Sequence, residues 1–148
     1  MRTPVPALAM LAALAACHGA PQTPHATVTA ATVTLPPIPD RPGVAYFMAE
    51  TTQPTRLTGI TSPAIGRIEL HESMTEGTMA TMRPLANVPV TPGTPTAFAP
   101  GGKHAMLYDI APSVRAGGTV RLIFHFEDLP PVDVDAEVRD FGAGHAGH

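Results

Sequence analysis

Apolar and polar residues alternate in short runs along most of this chain, and proline and glycine separate the runs. From Val120 to Phe126 the even positions (Val120, Leu122, Phe124, Phe126) are apolar. From Asp133 to Arg139, Val134, Ala136 and Val138 alternate with Asp133, Asp135, Glu137 and Arg139. Between Arg67 and His71, Ile68 and Leu70 face one way while Arg67, Glu69 and His71 face the other. A period of two is the mark of a strand with one buried face. The pattern predicts strands at Thr27–Thr34, Val44–Glu50, Arg56–Ile60, Arg67–His71, Thr78–Arg83, Thr96–Ala99, Lys103–Tyr108, Thr119–Phe126 and Asp133–Arg139. Turn signals fall between them: Pro36-Pro37, Arg41-Pro42-Gly43, Glu76-Gly77, Thr91-Pro92-Gly93, Gly101-Gly102, Ala116-Gly117-Gly118 and Pro130-Pro131. Short strands at this spacing argue a two-sheet sandwich or a small barrel.

Composition sharpens the picture. The 148 residues fit one domain. Eighteen prolines exclude a helical domain but suit strand ends and edges. Val, Leu, Ile and five Phe supply the core, with Met48 expected among them. Residues 1–16 read as an export signal, with Arg2 ahead of an apolar run from Val5 to Ala16 that is too short to span a bilayer. The run ends in Leu14-Ala15-Ala16-Cys17, which resembles the lipobox of bacterial lipoproteins and makes Cys17 the expected site of lipidation. Residues 17–26 then form a tether, 27–140 the domain, and 141–148 a flexible tail. The expected location is the periplasm, on a membrane reached through the lipid alone. The absence of Asp after Cys17 favours the outer membrane over the inner. Removing residues 1–16 leaves eight basic and twelve acidic side chains, a net charge of −4. No basic stripe suits a nucleic acid.

Candidate chemistry lies in two imidazoles and two thioethers. His71 is followed after ten residues by Met82, and after twenty-one more by His104-Ala105-Met106. Thioether sulfur favours Cu(I), and imidazole suits most late first-row metals. On a strand, His104 and Met106 share a face about 6.6 Å apart, close enough for both side chains to reach one ion. The paired glycines at 101 and 102 should set His104 near a sheet edge or rim. His71 falls on the polar face or in the loop beyond. Spacing alone does not bring the His71–Met82 segment against His104.

That step comes from a resemblance. The full His-(ten)-Met-(twenty-one)-His-any-Met spacing, with AYFMAE (Ala45–Glu50), RLTGITSPAIGRIELHE (Arg56–Glu72), MRP (Met82–Pro84) and PGGKHAML (Pro100–Leu107), resembles the periplasmic copper chaperone family PCuAC. The resemblance implies an all-β, cupredoxin-like sandwich with Greek-key connections and an exposed Cu(I) site near its rim. It implies His71, Met82, His104 and Met106 as ligands. It further implies delivery of copper to cytochrome c oxidase, particularly its CuA centre, together with a thioredoxin-like partner. Glu50-Thr51-Thr52 stands where the family commonly has an asparagine, at a turn away from the site. Met74 and Met79, read as lying in the loop between His71 and Met82, are candidate auxiliary ligands. His145 and His148 in the glycine-rich tail are candidates for weak Cu(II) binding.

Other classes fit less well. No nucleophile arrangement or acid–base pair is visible, so no turnover is expected. A blue-copper electron carrier needs a thiolate beside two histidines, and the lone Cys17 belongs to the export signal. General copper buffering or resistance, and a structural lipoprotein with a vestigial metal site, remain as alternatives. The expected form is a monomer.

Overall fold

The computed structural model describes residues 19–143. Ten strands carry the fold, and no α-helix occurs among the described residues: β1 (Ala26–Thr34), β2 (Gly43–Thr51), β3 (Thr55–Thr61), β4 (Ile65–Glu76), β5 (Met79–Pro84), β6 (Val88–Val90), β7 (Thr96–Phe98), β8 (Lys103–Ile110), β9 (Thr119–Phe126) and β10 (Val132–Arg139). They form one continuous sheet in the order β5-β4-β8-β2-β1-β10-β9-β3-β6, with β7 added beside β2. All pairings are antiparallel except β1 with β10. β8 sits between β2 and β4, and β9 between β3 and β10, so the chain crosses between the two halves in Greek-key fashion.

The sheet coils back so that its halves face each other across the core. Phe47 of β2 meets Phe124 of β9 edge to face at 4.7 Å and stacks on Phe98 of β7 at 4.1 Å. Val33, Leu57, Leu107, Leu122 and Val138 fill the space around these rings. The alternation of β9 and β10 appears directly: Val120, Leu122, Phe124 and Phe126 are buried, as are Ala136 and Val138. Fully burying a side chain such as Phe or Leu stabilises the fold by roughly 1.5–3 kcal/mol, so this cluster carries most of the cohesion. β1 serves both halves, pairing with β2 along its length and with β10 at Thr32–Thr34. Its register shifts between Thr29 and Thr32, where Ala30 takes a left-handed φ of 52°. An extra residue there bends and twists the strand.

Three expectations change. β6 was not expected, because Pro89 sits within its three residues. Met48 is only half-buried, on the face of β2 opposite to Ala45, Phe47 and Ala49. β4 and β5 extend past the sandwich as a hairpin, so Met74 lies in a strand rather than in a loop, and Met79 opens β5 within the strand expected at Thr78–Arg83. Only Gly77 and Thr78 form its turn, with Gly77 at φ 63° in the first position, as in a type II′ turn. The register also fixes the two ends of the sheet. Ala26, where β1 begins, pairs with Thr51 at the end where the hairpin turns. Arg139, where β10 finishes, pairs with Thr34 at the opposite end.

Candidate metal centre

β4 lies between β5 and β8, and its register builds the site. His71 is the direct cross-strand partner of His104, Glu69 of Met106, and Ser73 of Met82. Cross-strand partners share a face, and residues two apart on one strand do too. His71, Met82, His104 and Met106 therefore all project from the outward face of the β5-β4-β8 ribbon, the side away from Leu70, Ala105 and Leu107. The structure brings together all four residues that the spacing singled out.

Local sequence explains each placement. Pro100 and Gly101 fill the centre of a turn closed by Gly102 N–H donating to Ala99 C=O at 3.1 Å, with Gly101 at φ 81°. Proline followed by a left-handed glycine is the chemistry of a type II turn. The turn aims the start of β8 at β4. There β8 has parted from β2, whose ladder with it ends at Ala45–Ala105, and β7 pairs with β2 at residues 47–49 instead. His104 sits at this fork and is buried at 6% exposure, deeper than the rim position expected from the paired glycines. The outward face of the ribbon is thus graded, from the buried His104 to Met82 at 56% exposure.

The hydrogen bonds of the two imidazoles settle their tautomers. The Gly102 carbonyl accepts from His104 Nδ1 at 3.0 Å, and it also accepts from the Ser73 N–H at 3.0 Å. A carbonyl can only accept, so the ring proton of neutral His104 is on Nδ1 and its lone pair is on Nε2. His71 Nε2 lies 3.1 Å from Glu69 Oε2, leaving its Nδ1 buried and without a hydrogen-bond partner. The rings stand 6.0 Å apart, centroid to centroid, and 29° from parallel. Among the described residues no three His, Cys, Asp or Glu side chains converge. An ion held here draws on thioethers as well as imidazoles, and that donor set suits a soft monovalent metal.

The other face of the hairpin is different. Glu72 pairs in register with Lys103 on one side and Arg83 on the other, and its carboxylate lies 3.3 Å and 2.7 Å from them. The Arg83 hydrogen bond, then that of Lys103, holds the Glu72 carboxyl below the usual carboxylate range. Met74 and Met79 project from this face, away from the histidines. Cys17, His145 and His148 lie outside the described residues. On the other half of the sheet, His125 Nε2 lies 2.8 Å from Thr61 Oγ1. A groove of ≈ 590 Å³ lies at the far end of the sheet beside Asp40, Asp109 and Pro112, and none of the four donors lines it. Sequence reasoning missed Glu69. Its signal was the Glu-x-His spacing on a strand, which puts a carboxylate beside a candidate ligand.

Comparison with known proteins agrees with this architecture. The PCuAC domain of PmoF2 in a copper-bound structure matches with a TM-score of 0.64 at 20% identity, covering 78% of this chain and 92% of that one. The Cu(I) form of DR1885 from Deinococcus radiodurans matches with a TM-score of 0.58 at 25% identity, over 82% of this chain and 79% of that one. A protein of Leifsonia xyli subsp. xyli, "Putative lipoprotein Lxx21020", is 29% identical over 91 residues, or 61% of this chain and 55% of that protein. The match thus spans only a little over half the length of that relative. The family described as "Putative lipoprotein LpqE-like" matches residues 21–138, from before β1 almost to the end of β10. The chain belongs to the LpqE-like family and is built on the cupredoxin-like fold of PCuAC domains.

Proposed function

We propose that the protein is a periplasmic Cu(I) metallochaperone, held at a membrane by a lipid on Cys17, that delivers its ion to cytochrome c oxidase at the CuA centre. The observation that carries this reading is the cross-strand pair His71–His104, each with a free lone pair, on one face with Met82 and Met106. Four neutral donors leave the bound ion its single positive charge. That makes release by ligand exchange easier than from a thiolate site. The copper-bound structures of PmoF2 and DR1885, proteins of the same fold, support the assignment of metal. The scaffold has its own aromatic core, so it carries the ion without needing it to fold. The role is that of a carrier without turnover.

The test has two stages. Anaerobic Cu(I) titration against a chromophoric chelator should give one ion per chain, lost in His104→Ala. The loaded protein is then mixed with the soluble copper-receiving domain of cytochrome c oxidase, with and without a thioredoxin-like chaperone, and the two are separated. Copper should be found on the oxidase domain. Copper that stays on the carrier in both mixtures would instead support general copper buffering.

A further inference from the structure

We propose that Glu69 is a positioning residue that selects the ligating nitrogen of His71, so that His71 binds through Nδ1 and His104 through Nε2. The inference deepens the copper-carrier reading and rests on it. A carboxylate has no proton to give, so its contact with His71 Nε2 at 3.1 Å places the ring proton on Nε2 and the lone pair on Nδ1. That Nδ1 is buried with no partner, which is uncommon for a buried polar atom. Glu69 is itself held. Arg67 Nε lies 3.0 Å from its other oxygen, Oε1, and the Arg67 guanidinium rests over the Tyr108 ring at 4.2 Å. Tyr108, Arg67, Glu69 and His71 thus form a chain of contacts along the outward face of β4 and β8, ending at Nε2, the ring nitrogen opposite the metal-facing one.

The two histidines are oriented by different devices. His104 is set by a backbone carbonyl that no side-chain substitution removes, whereas His71 is set by one replaceable carboxylate. A carboxylate that accepts the second N–H of a ligating imidazole fixes the ring and raises its basicity. Nδ1 is also closer to the backbone than Nε2. An ion bound through Nδ1 of His71 and Nε2 of His104 therefore sits nearer β4 than β8, on the side where β5 presents Met82.

The experiment is nitrogen-15 NMR of the imidazole rings in mildly alkaline buffer, on the metal-free protein and with Ag(I), a spin-½ surrogate for Cu(I). Metal-free His71 should carry its proton on Nε2. With Ag(I), silver–nitrogen coupling should appear at Nδ1 of His71 and Nε2 of His104. In Glu69→Ala the His71 ring should become a mixture of tautomers, and Cu(I) affinity should fall about ten- to a hundredfold, with the melt in chelator little changed. A proton on Nδ1 of metal-free His71, coupling through its Nε2, or an unchanged tautomer and affinity in Glu69→Ala would overturn the assignment while leaving the carrier in place. Silver that perturbs neither ring would remove the carrier reading and the assignment together. The wild-type spectra decide the matter even if Glu69→Ala does not fold.

Discussion

One face of the β4–β5 hairpin carries His71, Ser73 and Met82, and the other carries Glu72, Met74, Met79 and Arg83. Both faces bear methionine, and both have a charged or titratable group at the level of His104 or Lys103 on β8. They differ in where the polar atoms find partners. On the inner face Glu72 is satisfied by two cations, one from each flanking strand, and the three side chains fasten β5, β4 and β8 together. On the outer face the two imidazoles spend their protons on Gly102 and Glu69 and keep their lone pairs free. What separates Met82 from Met74 and Met79 is therefore the parity of its position, because successive side chains alternate across the sheet.

The sharpest way to break this contrast is to remove an imidazole. Changing an outer-sphere partner already costs about ten- to a hundredfold in affinity, so His71→Ala or His104→Ala should lower Cu(I) affinity at least about a hundredfold. Chelator competition measures this, and the melt of the metal-free protein should hardly change in His71→Ala. Next come the methionines. Leucine nearly preserves volume but has no soft donor, so Met82→Leu and Met106→Leu should each weaken Cu(I) by about tenfold or more. Met74→Leu and Met79→Leu should leave it unchanged. A loss in Met79→Leu equal to that in Met82→Leu would erase the distinction between the faces.

Acid sharpens it further. Protons compete for the imidazole lone pairs and not for thioethers, so Cu(I) affinity should fall with pH at a slope approaching two protons per ion. In His71→Ala the slope should approach one. Metal-linked stabilisation is then present at higher pH and lost toward acid. The smallest effect belongs to the inner face. The Glu72 carboxyl is held low by Arg83 and Lys103, so its contribution to stability is present above the unfolded carboxylate pKa and fades as pH falls through the lowered one. The pair is exposed and the effect small. Glu72→Gln should abolish that increment in melts across the acid range while leaving one Cu(I) per chain.

Most of the sheet was legible because nine of its strands alternate or abut clear turn chemistry. The exceptions have physical causes. Val88–Val90 is too short to show a period and carries a proline. The outer half of β4, Glu72–Glu76, buries neither face fully, so it shows no apolar alternation and reads as loop. Once those residues are seen as strand, Met74 acquires a face, and the pairing of Glu76 with Met79 gives Met79 the same one. The four donors that share the outward face were singled out by the spacing, through its resemblance to a family. The choice of ring nitrogen was not, because it depends on a carbonyl delivered by a turn and on a carboxylate whose role appears only when Glu69 and His71 share a face. The burial of His104 was also hidden, since it follows from β8 leaving β2 as β7 arrives.

The opposed ends of the sheet bear on how the molecule can be handled. Ala26 lies at the end where the hairpin turns, and Arg139 at the other. Eight residues of strand at about 3.3 Å each separate those ends by roughly 25 Å. Along the ladders Met106 is level with Val44, Thr34 and Arg139, and the His71–His104 pair lies two residues further along β8, so these three donors sit nearer the Arg139 end. A leash joined before Ala26 tethers the domain by the end away from its histidines, and its length sets how far they range from the surface it is fixed to. A dye, bead or fusion joined after Arg139 stands level with Met106. Immobilised through Ala26, the domain presents its histidines to whatever flows past. Immobilised through Arg139, it brings them toward the support.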